Sequence, residues 1–219
     1  MGFMEFMKHG GVPLYVNLIV MAATILIIIE RTIRLYSTYN INGRGFLEQI
    51  EKLILANNLE RAIKQCNGVQ TAILPKIIKS GLLAAHKGRA AVTQALEESM
   101  LSWLPLIHAR VQTLWSLANI ATLVGLIGTI FGLITAFQAI ALATPEEKTK
   151  ILTMGIAEAM YNTAFGLTIA VANIIAHMFL HGQAKHMSED IELASVRMEN
   201  LLSSRTFTVS ENSEEAASR

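Results

Sequence analysis

Glu158 stands immediately before a stretch, Ala159 to Ala184, that contains no Asp, Glu, Lys or Arg, and it is the one carboxylate placed inside a long apolar run. An acid in an apolar medium is costly, and the chemistry that retains one there is proton exchange or pairing with a cation. The competing reading is an acid close enough to the end of its run to stay hydrated. Asn162, Gly166, Asn173 and His177 follow at spacings of 4, 7 and 4, with Thr163 and Ala170 beside them, so small and polar residues share one helical face. A hydroxyl such as that of Thr163 either bonds its own backbone one turn back or turns into a polar interior. An earlier run carries Ala121, Gly125, Gly128, Gly132 and Ala136 at spacings of 4, 3, 4 and 4, with Thr129 beside Gly128 and Gly132. Small residues in a row let helix backbones approach closely, within one chain or around a shared interior. His177 and His181 are one turn apart, with His186 beyond, but no acid or thiolate completes a coordination set, and no metal site is expected. The ten scattered methionines suit core filling. No nucleotide-binding glycine loop, Walker motif or zinc pattern is present, so neither a cofactor nor a nucleic-acid partner is expected, and the chain does not read as an enzyme.

The elements that must position these residues follow from the charge distribution. The 219 residues include 18 Lys and Arg and 17 Asp and Glu, 16% in all, below the quarter or so of an ordinary soluble domain. Three stretches hold none of these charges: His9 to Ile29 (21 residues), Val111 to Pro145 (35) and Ala159 to Ala184 (26). Each is long enough to cross a hydrocarbon core as a helix, which takes about 20 residues. This excludes a single water-soluble globule and disorder throughout, and it disfavours a membrane barrel, whose strands are about ten residues long and alternate in polarity. The first stretch is too long for a secretory signal and leads into Glu30 and Arg31 instead of a cleavage site; Phe6 stands where myristoylation needs Ser or Thr. Cys66, the single cysteine, allows no internal disulfide and suits a reducing compartment.

The expected architecture is an all-α integral membrane protein with three transmembrane helices and long cytoplasmic helical extensions. The expected segments are an outer N-terminus over 1–11, span one over 12–29, a cytoplasmic helical segment over 30–110 and helix two over 111–142. An outer turn over 143–150, span three over 151–180, a cytoplasmic helix over 181–202 and a disordered, Ser- and Glu-rich tail over 203–219 complete the chain. Lys and Arg number eleven from Arg31 to Arg110 and four from Lys185 onward, against Lys8, Lys148 and Lys150 elsewhere, which places the large segment and the tail inside. Within 30–110, the stripes Phe46, Leu47, Ile50, Leu53 and Ile54, then Leu59, Ile63 and Cys66, then Ile73, Leu74, Ile77, Ile78, Leu82 and Leu83 mark amphipathic helices. Breaks are expected at Asn57-Asn58, at Asn67-Gly68 and around His86 to Gly88. Pro105 allows a bend before helix two. Met187, Ile191, Ala194, Met198 and Leu201 form a short heptad seam.

Leu123 to Leu133, reading Leu-Val-Gly-Leu-Ile-Gly-Thr-Ile-Phe-Gly-Leu, resembles the second-span signature of the MotA/TolQ/ExbB proton channel family. Ala157-Glu158-Ala159 followed by Thr163-Ala164-Phe165-Gly166-Leu167 resembles its third-span signature. Leu59 to Leu83 is similar to that family's loop after span one, and Pro13, Glu30 and Arg31 sit where its first span keeps them. The resemblance covers about Pro13 to Ala176 and is nearest the three-span TolQ/ExbB branch. Thr122 and Asn173 stand where the family usually has prolines. The resemblance implies a homopentameric ring in the bacterial inner membrane around two copies of a single-span ExbD/TolR-like subunit, with a TonB/TolA-like envelope protein as a further partner. It implies a motor driven by proton flow, with Thr129, Thr163, Glu158 and Asn162 on the proton pathway or facing the partner, and Gly125, Gly128, Gly132 and Gly166 at helix contacts. The titrating carboxylate would come from the partner. The competing expectations are a non-conducting membrane scaffold that docks other proteins and a metal or small-molecule transporter.

Overall fold

The computed structural model describes residues 11–35, 43–69 and 71–217, with only the backbone for 203–217. The readings placed on Phe6, on Lys8 and on the last two residues of the tail lie outside them. The described chain is helical: α1 (Gly11–Ile33), α2 (Gly43–Leu55), α3 (Leu59–Gly68), α4 (Ile73–Ala84), a 3-10 turn (Ala85–Lys87), α5 (Arg89–His108), α6 (Val111–Leu142) and α7 (Lys148–Ala217). No strand occurs among the described residues. Three stretches are long and apolar enough to cross a membrane: Val12–Ile33, Arg89–Leu142 and Lys148–Leu202. α7 includes residues 203–217, the segment whose composition predicts disorder.

The chain divides into two compact units. The first holds α1 up to Arg31, α6 and α7 up to His181. From Ala118 onward, α6 places small residues inside and large ones outside. On α6, Ala118, Ala121, Gly125, Gly128 and Ala136 are buried, while Leu123, Ile130, Phe131 and Phe137 are exposed. Phe131 is 59% exposed. In water that arrangement would be costly at about 25 cal/mol per Å² of apolar surface; in a bilayer it is the expected one, because lipid solvates the large side chains and only close packing holds helices together. Buried positions on α1 are Leu14, Asn17, Val20, Thr24 and Arg31, which recur on one helical face. Pro13 lies in the first turn, where its missing amide leaves no hydrogen bond unmade.

The second unit holds Thr32 to Ala109 and the chain from Gly182 onward. Here the pattern is that of a soluble protein: Ile50, Ile54, Ile73, Ile77, Ile78, Leu82, Val92 and Leu96 are buried, with charges on the opposite faces. The helices stop where local chemistry stops them. Asn57 takes the left-handed conformation (φ 61), Asn58 caps α3 by accepting from the Arg61 amide at 3.3 Å, and Gly88 (φ 94) separates the 3-10 turn from α5. Leu83 departs from its expected stripe and is 51% exposed, with Gly81 and Ala84 buried in its place. The C-terminal seam also differs at its end: Met187, Ile191, Ala194 and Met198 are buried, but the next buried position on the seam is Leu202, with Leu201 half-buried. A straight helix of 3.6 residues per turn drifts off a seven-residue repeat, and the face moves one residue on.

The chain turns between α5 and α6 at Ala109 and Arg110, and α6 begins at Val111. Pro105 lies inside α5, which continues to His108 and closes with the Ala109 amide donating to the Pro105 carbonyl at 2.9 Å. Arg110 takes a left-handed conformation (φ 59) as the residue capping α6.

Candidate functional site

The site lies in the first unit, where α6 and α7 touch through their small residues. A Cβ added to Gly125 would meet the Asn162 carbonyl and the Thr163 Cα at 3.3 Å, and one on Gly166 would meet the Ala121 carbonyl at 2.6 Å. A Cβ on Gly132 would lie 2.9 Å from that of Ala159, and Gly155 faces Ala136 in the same way. The glycine row therefore packs helices within one chain, the plainer of the two readings its spacing allows.

That close approach brings two hydroxyls together. Thr129 and Thr163 are hydrogen-bonded to each other across the α6–α7 contact. Both also reach the Gly125 carbonyl, Thr129 from its own helix at 3.2 Å and Thr163 from the facing helix at 3.1 Å. The bond of Thr163 thus goes to a neighbouring helix and not to its own backbone one turn back. Two hydroxyl protons serve three contacts, so one threonine donates to Gly125 while the other donates to its partner's oxygen, and the two can exchange roles. Thr163 is fifteen residues from Lys148, the first residue of α7, or about 22 Å along the helix.

Glu158 and Asn162 face elsewhere. They line a cleft of 830 Å³ bounded by α1, α6 and α7, whose other walls are almost wholly apolar. The four expected pathway residues accordingly form two groups, a threonine pair inside the α6–α7 contact and an acid–amide pair in the cleft. Asn162 is 5% exposed and packs close to Gly128: a Cβ on Gly128 would lie 2.8 Å from that of Asn162 and 3.2 Å from that of Pro13. Asn17 of α1 approaches from the other side, its Nδ2 lying 3.2 Å from where a Gly166 Cβ would be. The side-chain oxygens of Asn17 and Asn162 are buried with no hydrogen-bond partner among the described residues. Sequence spacing missed Asn17, although Asn17, Thr24 and Arg31, all buried, recur every seven residues on α1.

Towards the His181 end of this unit, His177 stacks on His181 with ring centroids 5.3 Å apart, and Trp115 lies 5.9 Å from His177. Among the described residues no three or more His, Cys, Asp or Glu side chains stand together as a metal site would need. At the α1 terminus, Arg110 pairs with Glu30. In the second unit, burial pushes the Cys66 thiol up to about 11, with Lys79 acting in the opposite direction.

A sequence profile of the MotA/TolQ/ExbB proton channel family matches residues 65–193, which include the glycine row, both threonines, Glu158 and Asn162. The chain belongs to the MotA/TolQ/ExbB proton channel family. Three apolar helices among its described residues agree with the three-span branch. A protein of Methanothermobacter thermautotrophicus named as a biopolymer transport ExbB homolog is 22% identical over 191 residues, 87% of this chain. A Synechocystis sp. protein named ExbB-like 3 is 36% identical over 83 residues, 37% of this chain. The Vibrio cholerae biopolymer transport protein exbB1 is 41% identical over 61 residues, 28% of this chain. These matches cover 67%, 39% and 27% of the three relatives' own lengths.

Proposed function

We propose that this chain is the ring subunit of a motor in the bacterial inner membrane, driven by the proton-motive force. Five copies surround two copies of a single-span ExbD/TolR-like subunit, and proton flow becomes relative rotation and mechanical work on the envelope, with a TonB/TolA-like protein as a further partner. The N-terminus lies outside and the second unit and the tail lie in the cytoplasm, as the Lys and Arg count favours.

The observation that carries this reading is the Thr129–Thr163 pair. The two hydroxyls lie within the charge-free runs Val111 to Pro145 and Ala159 to Ala184, with Glu158 at the edge of the second. Hydroxyls within such runs can accept and donate without the cost of a fixed charge, which suits a wall past which a carboxyl of another chain moves. When that carboxyl is protonated it becomes neutral and can leave the polar pair for apolar wall; when it ionises it returns to hydroxyl donors. Glu158 and Asn162 serve the outer end of the path.

Thr129→Val and Thr163→Val test this. Both keep side-chain volume close to that of threonine and remove the hydroxyls. The expected result is an intact complex with its proton flux and driven work reduced at least tenfold. Full flux in both variants would return the chain to a passive scaffold. Glu158→Gln is expected to assemble and to lose flux; unchanged flux removes Glu158 from the path.

A further inference from the structure

The cleft between α1, α6 and α7 contains three polar side chains, Thr135, Glu158 and Asn162; its remaining lining is apolar or glycine. Among the described residues no Lys, Arg, His or second acid lines it from any of the three helices, so Glu158 is the only described titratable group that faces this space. Asn162 Oδ1 is an acceptor, buried and without a donor among the described residues. A buried acceptor in that state is unfavourable, and the cleft contains few groups that could relieve it. The Thr135 hydroxyl proton is already committed to the Phe131 carbonyl at 2.8 Å. Glu158 is four residues before Asn162, hence one turn away on the same face of α7. In its acid form it carries the one O–H of the lining that is not already committed.

We propose that Asn162 is a positioning residue for a proton held on Glu158, with the protonated carboxyl donating its O–H to Asn162 Oδ1. The proton arrives from a hydronium, an O–H bond forms at the carboxylate, and water is released; no covalent bond to the amide is made or broken. When Glu158 ionises, Oδ1 loses its donor and faces a carboxylate of like polarity. The amide, whose Cβ packs close to Gly128, then has to turn its NH2 toward the acid. Proton occupancy of Glu158 is thereby read out as the orientation of a side chain packed between α1 and α6. The inference deepens the reading of Glu158 as a proton-carrying group and does not depend on the threonine pair.

The test is infrared difference spectroscopy of the full chain in bilayers, between acidic and neutral pH, across the range in which it stays folded. A protonated-carboxyl C=O band is expected, and Glu158→Gln is expected to abolish it. Asn162→Leu is expected to move the band to higher wavenumber, as for a carboxyl that no longer donates, and Asn162→Gln to bring it part of the way back. A band at the same wavenumber in wild type and Asn162→Leu, or no band that Glu158→Gln removes, overturns the proposal. Should Asn162→Leu fail to fold, solid-state NMR on wild type answers the same question: the dipolar coupling between the Glu158 carboxyl carbon and the Asn162 side-chain nitrogen is expected to strengthen from acidic to neutral pH as the amide turns, and an unchanged coupling contradicts the proposal. Neither readout involves proton flux, so loss of this proposal and loss of the motor reading are separate results.

Discussion

Thr129 and Thr163 share two protons among three contacts, and that shortage makes the pair adaptable. A hydroxyl pair with interchangeable donors can receive a visiting carboxyl in either protonation state, whereas a single Thr bonded to its own backbone would offer less. The hydroxyl-to-hydroxyl bond itself contributes only about 1 kcal/mol, typical of polar contacts between helices in a bilayer. Thr163→Val should therefore leave the melting temperature of the solubilised complex within a few degrees of wild type, and a collapse of the fold would show that the pair is structural. The type and depth of these residues were legible from spacing alone. Their mutual bond was not, because periodicity gives the face of a helix but not which neighbour meets it. Cys66 supplies a prediction of another kind. Its thiol, pushed from the ordinary 9.0 up to about 11, should react with iodoacetamide at pH 8 about a hundredfold more slowly than an open cysteine, and the rate should recover on unfolding. The unfolded thiol ionises first, so the Cys66 contribution is fully present below pH 9 and stability declines as pH climbs from 9 toward 11. A flat stability profile across that interval would contradict its burial.

At the scale of elements, glycine decides how close α6 and α7 come. A Cβ on Gly166 would stand 2.6 Å from the backbone carbonyl of Ala121, and backbone cannot swing aside as a side-chain tip can. Gly166→Val is expected to lower stability by about 2 kcal/mol or more through overpacking, and to separate the threonines as well. Gly182 has nothing within 4 Å of its would-be Cβ and serves as the control. Gly182→Ala should be neutral or stabilising by up to about 1 kcal/mol, since alanine is the better helix former. Thermal unfolding in detergent separates the two; equal effects would show that the close contact is unimportant. The elements themselves were largely readable. Charge-free runs, the Asn57-Asn58 break and Gly88 mark helices and their ends by simple chemistry. The charge-free run from Val111 marks where α6 begins, but the left-handed conformation of Arg110 was not readable, because it is a strained choice that local preference would not select. Pro105, by contrast, was accommodated within α5 with the helix unbroken.

At the scale of the whole molecule, one unit leaves large apolar side chains such as Leu123, Phe131 and Phe137 exposed, and the other buries its large apolar side chains beneath charged faces. A single solvent cannot satisfy both, which is why the sequence alternates between charge-free stretches and stretches of ordinary charge. The cleft that holds Glu158 and Asn162 was beyond sequence reading, since it needs three helices from distant parts of the chain to close it. The proposed ring predicts a native mass of five 24.0 kDa chains plus the partner in gently solubilised complexes, and a monomeric or dimeric particle would refute it. The most direct test of the central claim is proton flux into vesicles carrying the complex, isolated through a tag on this chain, under an imposed pH gradient and potential. The account predicts rapid acidification with the wild-type chain and a loss of at least tenfold when Thr129→Val and Thr163→Val are combined in an equally assembled complex. Equal acidification by the two would contradict it.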